Sequence, residues 1–216
     1  MTNWTKWLIA VPFALLIGVA VPALVAGDWL WFLDGWQDTL FTGLTTGMWL
    51  VATAFVNVDR PRGRRDRANI LMPLGLILAV PVAVWDRLHG PGRLAPEAMS
   101  ILAVGLGLAA IVLGVAARRA LGQAYTPRPG AGPDQALVRR GPYRYIRHPL
   151  YLVALIWVAA WPLIVGSIVA PIIALVLVLP AVVGRIRSEE AELLRVHGRA
   201  HAAYCQQSWR LIPFVY

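Results

Sequence analysis

The chain has 216 residues, 58% of them hydrophobic and 14% charged, with a formal net charge of +9. A water-soluble domain cannot hide so much apolar side chain, so the composition excludes an ordinary soluble enzyme and implies an integral membrane protein. Apart from Lys6, all twenty basic residues are arginines set in short stretches between apolar segments; that is the pattern of topology determinants and lipid-headgroup contacts, and it argues against a nucleic-acid footprint.

Trp7 to Ala26 is a first apolar run of spanning length, and it lacks the small-residue cleavage site of a signal peptide. Residues 27–38 carry Asp28, Asp34 and Asp38 with interfacial Trp29, Trp31 and Trp36. Thr39 to Val58 forms a second span, in which Gly43 and Gly47 make a small-xxx-small pair suited to close helix approach. The stretch 59–69 holds five arginines. Ile70 to Trp85 is a shorter span interrupted by Pro73 and Pro81, which predict a kink. Residues 86–97 form a Gly/Pro-rich turn, and Ala98 to Ala117 a fourth span. Gly105, Gly107 and Ala110 match a dinucleotide-binding glycine pattern on paper. That pattern needs a strand before it, so inside an apolar helix these residues predict close packing.

Residues 118–148 are the longest polar stretch, with seven arginines and an irregular Pro/Gly segment at 127–133. Residues 149–184 are continuously apolar over 36 positions, too long for one span and right for a hairpin turning near Gly166-Ser167. The polar tail begins as helix, with Leu193, Leu194, His197, His201 and Tyr204 spaced to share a face. The expected fold is therefore all-α, a polytopic bundle of about six transmembrane helices. It forms a single membrane domain over residues 1–216, with four spans in 1–117 and a core in 118–216. With both termini cytoplasmic, eighteen basic residues lie inside and only Arg87 and Arg93 outside. The same orientation puts residues 139–151 and the tail on one face, where they can meet in a cytoplasmic pocket. Arginine in place of lysine and abundant alanine suggest a bacterial inner membrane.

The run Arg139 to Tyr151, RRGPYRYIRHPLY, is basic, aromatic and bounded by Pro142 and Pro149. Pro149 suits the first position of the following helix. An interfacial anchor would need the arginines and rings but not the His-Pro pair. Where the last span emerges stand Arg185, Arg187, Glu189, Glu190 and Glu192. Charge at a membrane boundary is costly and marks function by default. Arg185 and Glu189 are four apart, the spacing of an ordinary helix-end ion pair. His197 and His201 have a chelating i,i+4 spacing but no third ligand, so no metal site is assigned. Cys205 is the only cysteine and excludes an internal disulfide.

GPYRYIRHPLY at 141–151, followed by Arg185, Glu189-Glu190, Leu193, Gly198, Tyr204 and Pro213-Phe214, resembles the isoprenylcysteine carboxyl methyltransferase family over residues 135–214. The first four spans match it only in being apolar. The resemblance implies a membrane enzyme with S-adenosylmethionine in a cytoplasmic pocket. Position by position, it implies that Gln135, Ala136, Leu137 and Val138 line the adenine and that Tyr143, His148, Pro149, Leu150 and Tyr151 contact the cofactor. Glu189 would bind the cofactor and Arg185 the acceptor, with Arg185, Glu189 and His148 forming the catalytic group. Val153 stands near a position that is often glycine in the family, His201 where an aromatic is usual, and Gln206 and Gln207 where basic residues are usual. These departures bear on the acceptor, which the resemblance implies to be a lipophilic, membrane-embedded carboxylate such as a prenylcysteine-like group. The partners expected are that small or lipidated substrate and membrane lipids, with no nucleic acid. The related phospholipid N-methyltransferases, other N- or S-methyltransferases, NADPH-dependent sterol-type reductases and a non-enzymatic scaffold on the same fold are the competing readings.

Overall fold

The computed structural model describes residues 10–56, 68–90, 96–122 and 137–215. Lys6, most of the arginine-rich 59–69 stretch, the 127–133 segment, Gln135 and Ala136 lie outside the described residues. Among the described residues every regular element is helical, and strand-like pairing is confined to one parallel bridge between Ile146 and Trp209. The helices are α1 (Ala10–Ala26, with a π-turn at Leu16–Ala20), α2 (Trp36–Val56), α3 (Ala68–His89), α4 (Pro96–Leu121), α5 (Pro149–Leu163), α6 (Val169–His197) and α7 (Arg199–Gln207).

The expected all-α architecture stands, and each expected apolar run is helical over its described residues, the last of them as a hairpin of two helices. Among the described residues α4 (as Glu97–Leu121) and α6 are long and apolar enough to cross a membrane, whereas α1 and α5 are apolar but shorter. The 15 residues of α5 extend about 22 Å at ~1.5 Å per residue, short of a hydrocarbon core of ~30 Å. By length alone α2 and α3, with 21 and 22 residues, also reach across a hydrocarbon core of ~30 Å.

Local signals fix the boundaries. Pro96 opens α4, with Glu97 in the first turn and Arg118 and Arg119 in the last, each charge complementing the helix dipole. Pro149 opens α5 where a missing N–H costs nothing. The hairpin turns at residues 164–168, as the sequence predicts. Helix α6 continues past its apolar part, which ends at Gly184, through a charged extension to His197. Gly198 then breaks the chain direction at φ 49, ψ −123, a conformation that favours glycine. The tail is therefore two helices, and the expected shared face does not form: His201 and Tyr204 are buried on α7 while Leu194 on α6 is half-exposed.

Packing runs α3 along α6, α4 along α5, and α5 against α6. A Cβ at Gly75 would lie 3.0 Å from Val178 and 3.2 Å from Leu177, so glycine permits the α3–α6 approach. The expected use of Gly43 and Gly47 is not made: a Cβ at either would meet nothing within 4 Å. Gly107 does face a neighbour, Trp157 of α5 at 3.8 Å, but Gly105 faces none. The core centres on stacked Phe41 and Trp161, 5.0 Å apart at 7°, with Trp31 edge-on to Phe41. The Trp161 indole donates to Thr45 Oγ1 at 2.9 Å, satisfying a polar atom that burial would otherwise strand.

At the hairpin turn one fully buried carboxylate acts as a clasp. Asp86 Oδ2 accepts from Ser167 Oγ (2.8 Å), Ile168 N (2.7 Å) and Val169 N (3.0 Å), satisfying donors at the start of α6. Nearby Arg87 pairs with buried Asp38 at 3.4 Å, tying the start of α2 to the end of α3. Asp86→Ala is expected to cost about 3 kcal/mol, because it leaves buried donors without an acceptor, and to lower Tm in detergent by roughly 2–4 °C per kcal/mol. Asp86→Asn, which keeps a carbonyl acceptor, should lose clearly less. Equal losses in thermal unfolding would show that the carboxylate's charge, which a neutral carbonyl cannot replace, is what matters there.

Candidate functional site

The site lies at the other end of the hairpin. A 3₁₀ turn at Gly141–Arg144 leads into the Arg147-His148-Pro149 sequence that opens α5. The segment following α7 returns to lie beside this run. Arg147 N donates to Trp209 O (2.8 Å), His148 N to Arg210 O (3.1 Å), and Trp209 N to Tyr145 O (2.8 Å). The run and the tail, expected to share one face, do meet.

Two layers of side chains stand on this frame. In one, Tyr151 OH donates a short hydrogen bond to Glu189 Oε1, and Arg185 Nε donates to the Tyr151 oxygen at 3.0 Å. Arg185 Nε is also 3.7 Å from Glu189 Oε1, so the i,i+4 ion pair read from spacing is present, with Tyr151 joined to both partners. His148 Nδ1 is 3.9 Å from Glu189 Oε2, and the His148 and Tyr151 rings are 5.8 Å apart. Glu189 and Arg185 keep 23% and 26% side-chain exposure, so a ligand can still reach them.

In the other layer Glu190 is the hub. Its Oε1 accepts from Arg147 Nε at 2.8 Å and its Oε2 from Arg210 Nε at 2.7 Å, while His148 Nε2 stands 3.4 Å from Oε1. Arg147 extends through Nη1 to the carbonyls of Ser208 and of Cys205, the latter at 3.2 Å. Glu190 sits beyond the apolar part of α6. Burial pushes its carboxyl up, but His148 and Arg147 more than offset this and hold it at about 2. In α7, burial pushes His201 below the usual histidine range. Its Nε2 is 3.4 Å from Cys205 Sγ. His197 ends α6 and His201 lies beyond the Gly198 break, so their chelating register is not formed.

Of the residues singled out from the sequence, His148, Tyr151, Arg185 and Glu189 are brought into direct contact. Tyr143, Val138 and Leu150 gather elsewhere, in a small apolar cluster with Ala117, Ala120 and Leu121 at the end of α4. Pro149 is buried at the α5 start and Leu137 is half-buried. Gln135 and Ala136 lie outside the described residues. Sequence reasoning missed Glu190, Arg147 and Arg210 as a unit. The doubled glutamate was the available signal, since adjacent helical residues point about 100° apart and need different partners.

Residues 103–195 match the model of the isoprenylcysteine carboxyl methyltransferase (ICMT) family. No curated protein matches the sequence. The fold is similar to the solved structure of the eukaryotic intramembrane Ras methyltransferase ICMT, determined without a monobody. The TM-score is 0.56 at 19% identity, over 99% of this chain and 81% of that one. The resemblance drawn from the Arg-His-Pro run is thus borne out, by a family match over less than half of the chain and by a similar fold. The matched region differs from the expected one: it takes in most of α4, expected to be like the family only in being apolar, and it stops before α7.

Replacing Glu190 with Gln leaves two arginines facing one another without a counter-charge, and should destabilise the protein by about 3 kcal/mol at neutral pH. A carboxyl lowered from 4.5 to about 2 on folding contributes stability that is fully present above the unfolded value and lost as pH falls through the folded one. Thermal unfolding in detergent should therefore show the gap between native protein and Glu190→Gln narrowing as pH falls from about 4.5 toward about 2. A gap constant with pH would assign the loss to packing.

Proposed function

We propose that the chain is an S-adenosylmethionine-dependent methyltransferase whose acceptor is a carboxylate on a lipophilic, membrane-embedded molecule such as a prenylcysteine-like group. The observation that carries this reading is the contact of Tyr151, Arg185, Glu189 and His148 at the polar end of the hairpin, most of which lies within the family match. The similar fold of a Ras methyltransferase agrees with it.

The donor set suits the cofactor. Glu189 is a carboxylate with an accessible edge, able to accept from both hydroxyls of a ribose. Tyrosine rings hold a sulfonium without forming a salt bridge, and Tyr151 is the ring we assign to this, while Tyr143 contacts the cofactor from the cluster that holds Val138 and Leu150. Leu137, Val138, Pro149 and Leu150 would line the adenine, together with Gln135 and Ala136. The cofactor, when bound, supplies an electrophilic methyl group.

The protein's own part is alignment and exclusion of water. Tyr151 donates to Glu189 and fixes its rotamer. Arg185 is steadied through Nε by Tyr151 and Glu189, and its terminal nitrogens are the fork we assign to the acceptor carboxylate. His148 bounds the site on the side of the Glu190 hub. We place this end of the bundle on the cytoplasmic side of six spans in a bacterial inner membrane, following the arginine asymmetry.

Two substitutions separate cofactor from acceptor. Glu189→Gln should weaken S-adenosylmethionine binding by roughly 1.5–3 kcal/mol, the range for a hydrogen bond to a charged group. Arg185→Lys keeps charge but loses the planar fork, so transfer of labelled methyl to lipophilic acids should fall while transfer to amines and cofactor affinity hold. Calorimetry with S-adenosylmethionine and NADPH, alongside an acceptor panel, checks both. Tight NADPH binding would move the protein to the reductases, and equal loss across acceptors would return Arg185 to a helix-end ion pair.

A further inference from the structure

The segment after Ser208 carries an apolar surface that the site does not use. Trp209, Ile212, Phe214 and Val215 are 41, 42, 87 and 75% exposed, and the Trp209 and Phe214 rings lie 5.3 Å apart. Phe214 has φ 65, a left-handed backbone unusual for a bulky residue, at the point where its ring is most exposed. Beside this segment Tyr145 is 62% exposed, with the Arg144 guanidinium 5.8 Å from its ring centre. Such a contiguous apolar patch marks a docking surface.

We propose that this segment is an interfacial strap whose occupant is the headgroup–acyl boundary of the bilayer, with anionic headgroups preferred. Its position argues for this occupant. The strap is hydrogen-bonded to residues 145–148, one step before the apolar helix α5 begins at Pro149, and so lies at the level where a helix enters the membrane. Its composition argues the same way. Trp and Tyr favour the interface, and Arg144 beside Tyr145 adds charge complementary to anionic lipid. The strap therefore ties the site to a lipid depth, because Arg147 N and His148 N donate to the Trp209 and Arg210 carbonyls. This inference concerns the segment and the bilayer, and stands whether or not the transferase reading holds.

The test uses the full chain with its single cysteine removed, Cys205→Ser, and one nitroxide placed at Phe214→Cys. A second label at Gln207→Cys, on the exposed side of α7, serves as the water-facing control. The labelled proteins are placed in bilayers of phosphatidylcholine with phosphatidylglycerol. Power-saturation EPR should give a ratio of oxygen to nickel-chelate accessibility several-fold higher at 214 than at 207. Without phosphatidylglycerol the ratio at 214 should fall toward the control. Equal ratios at both sites would overturn the strap, and no response to phosphatidylglycerol would overturn its anionic preference. Dipolar broadening between labels at 214 would give the surface to a second copy instead. A measurement that keeps Cys205 guards against misfolding: the tryptophan emission lost on Trp209→Phe should be the part quenched by lipids brominated near the glycerol end. If that emission resists quenching, the strap is likewise overturned.

Discussion

One carboxylate holds the functional end of this molecule together. Glu190 faces Arg147 from the run before α5 and Arg210 from the segment after α7, with His148 alongside. These groups come from separate stretches of chain, and they converge on a single side chain of α6. Taking a carboxylate and a guanidinium out of water costs several kcal/mol per ion, and attraction offsets that only when the remaining hydrogen-bonding groups are also satisfied. Here they are well supplied: the carboxylate receives an arginine at each oxygen, and Arg147 reaches two further carbonyls. The arrangement contributes specificity more than raw stability. A misplaced tail would leave at least one buried charge without its partner.

The layer proposed to hold the ligand borders that hub through His148. His148 stands between Glu189 and Glu190, 3.9 Å from one and 3.4 Å from the other. Its backbone is held by Arg210, whose side chain is held by Glu190. Glu189 is oriented independently by Tyr151 and Arg185, both inside the hairpin. The doubled glutamate thus divides labour on adjacent residues. One is nearly buried and structural, and the other keeps an accessible edge, where we place the cofactor.

The sequence made one half of this legible. The hairpin, its turn and the meeting of the Arg-His-Pro run with the tail all follow from hydropathy and the distribution of arginine. Arg185 and Glu189 are visible because their spacing is local. Glu190 is not, since its arginine partners lie 43 and 20 residues away, distances that no periodicity encodes. Asp86 is hidden for the same reason. A carboxylate in a Gly/Pro-rich turn reads as solvated, and only the fold brings Ser167 to it across 81 residues. The shared face expected of the tail fails for the opposite reason. Helical spacing continues on paper straight through Gly198, where the backbone leaves the helical region. Gly43 and Gly47 show that a packing motif states a capacity, while the partner is chosen elsewhere, at Gly75.

Polar clasps at both ends of a short helix make physical sense in lipid. Between apolar helices in hydrocarbon there is no hydrophobic force to fix axial position, because lipid tails are as apolar as leucine. Van der Waals packing sets which faces meet but tolerates sliding, whereas a hydrogen bond to a buried carboxylate does not. Asp86 fixes the turn that follows α5, and the Ser100 hydroxyl fixes the carbonyl of Ile164 at its end. Glu190 and the paired tail fix the residues that precede it. With both ends held, Tyr151 in the first turn meets Glu189 across the hairpin with no freedom to slip by a turn, which would be about 5.4 Å. A direct displacement loses rate steeply with misalignment of about 1 Å. The clasps that fasten α5 in the bundle would therefore also give the proposed site at its start the precision that a direct displacement needs.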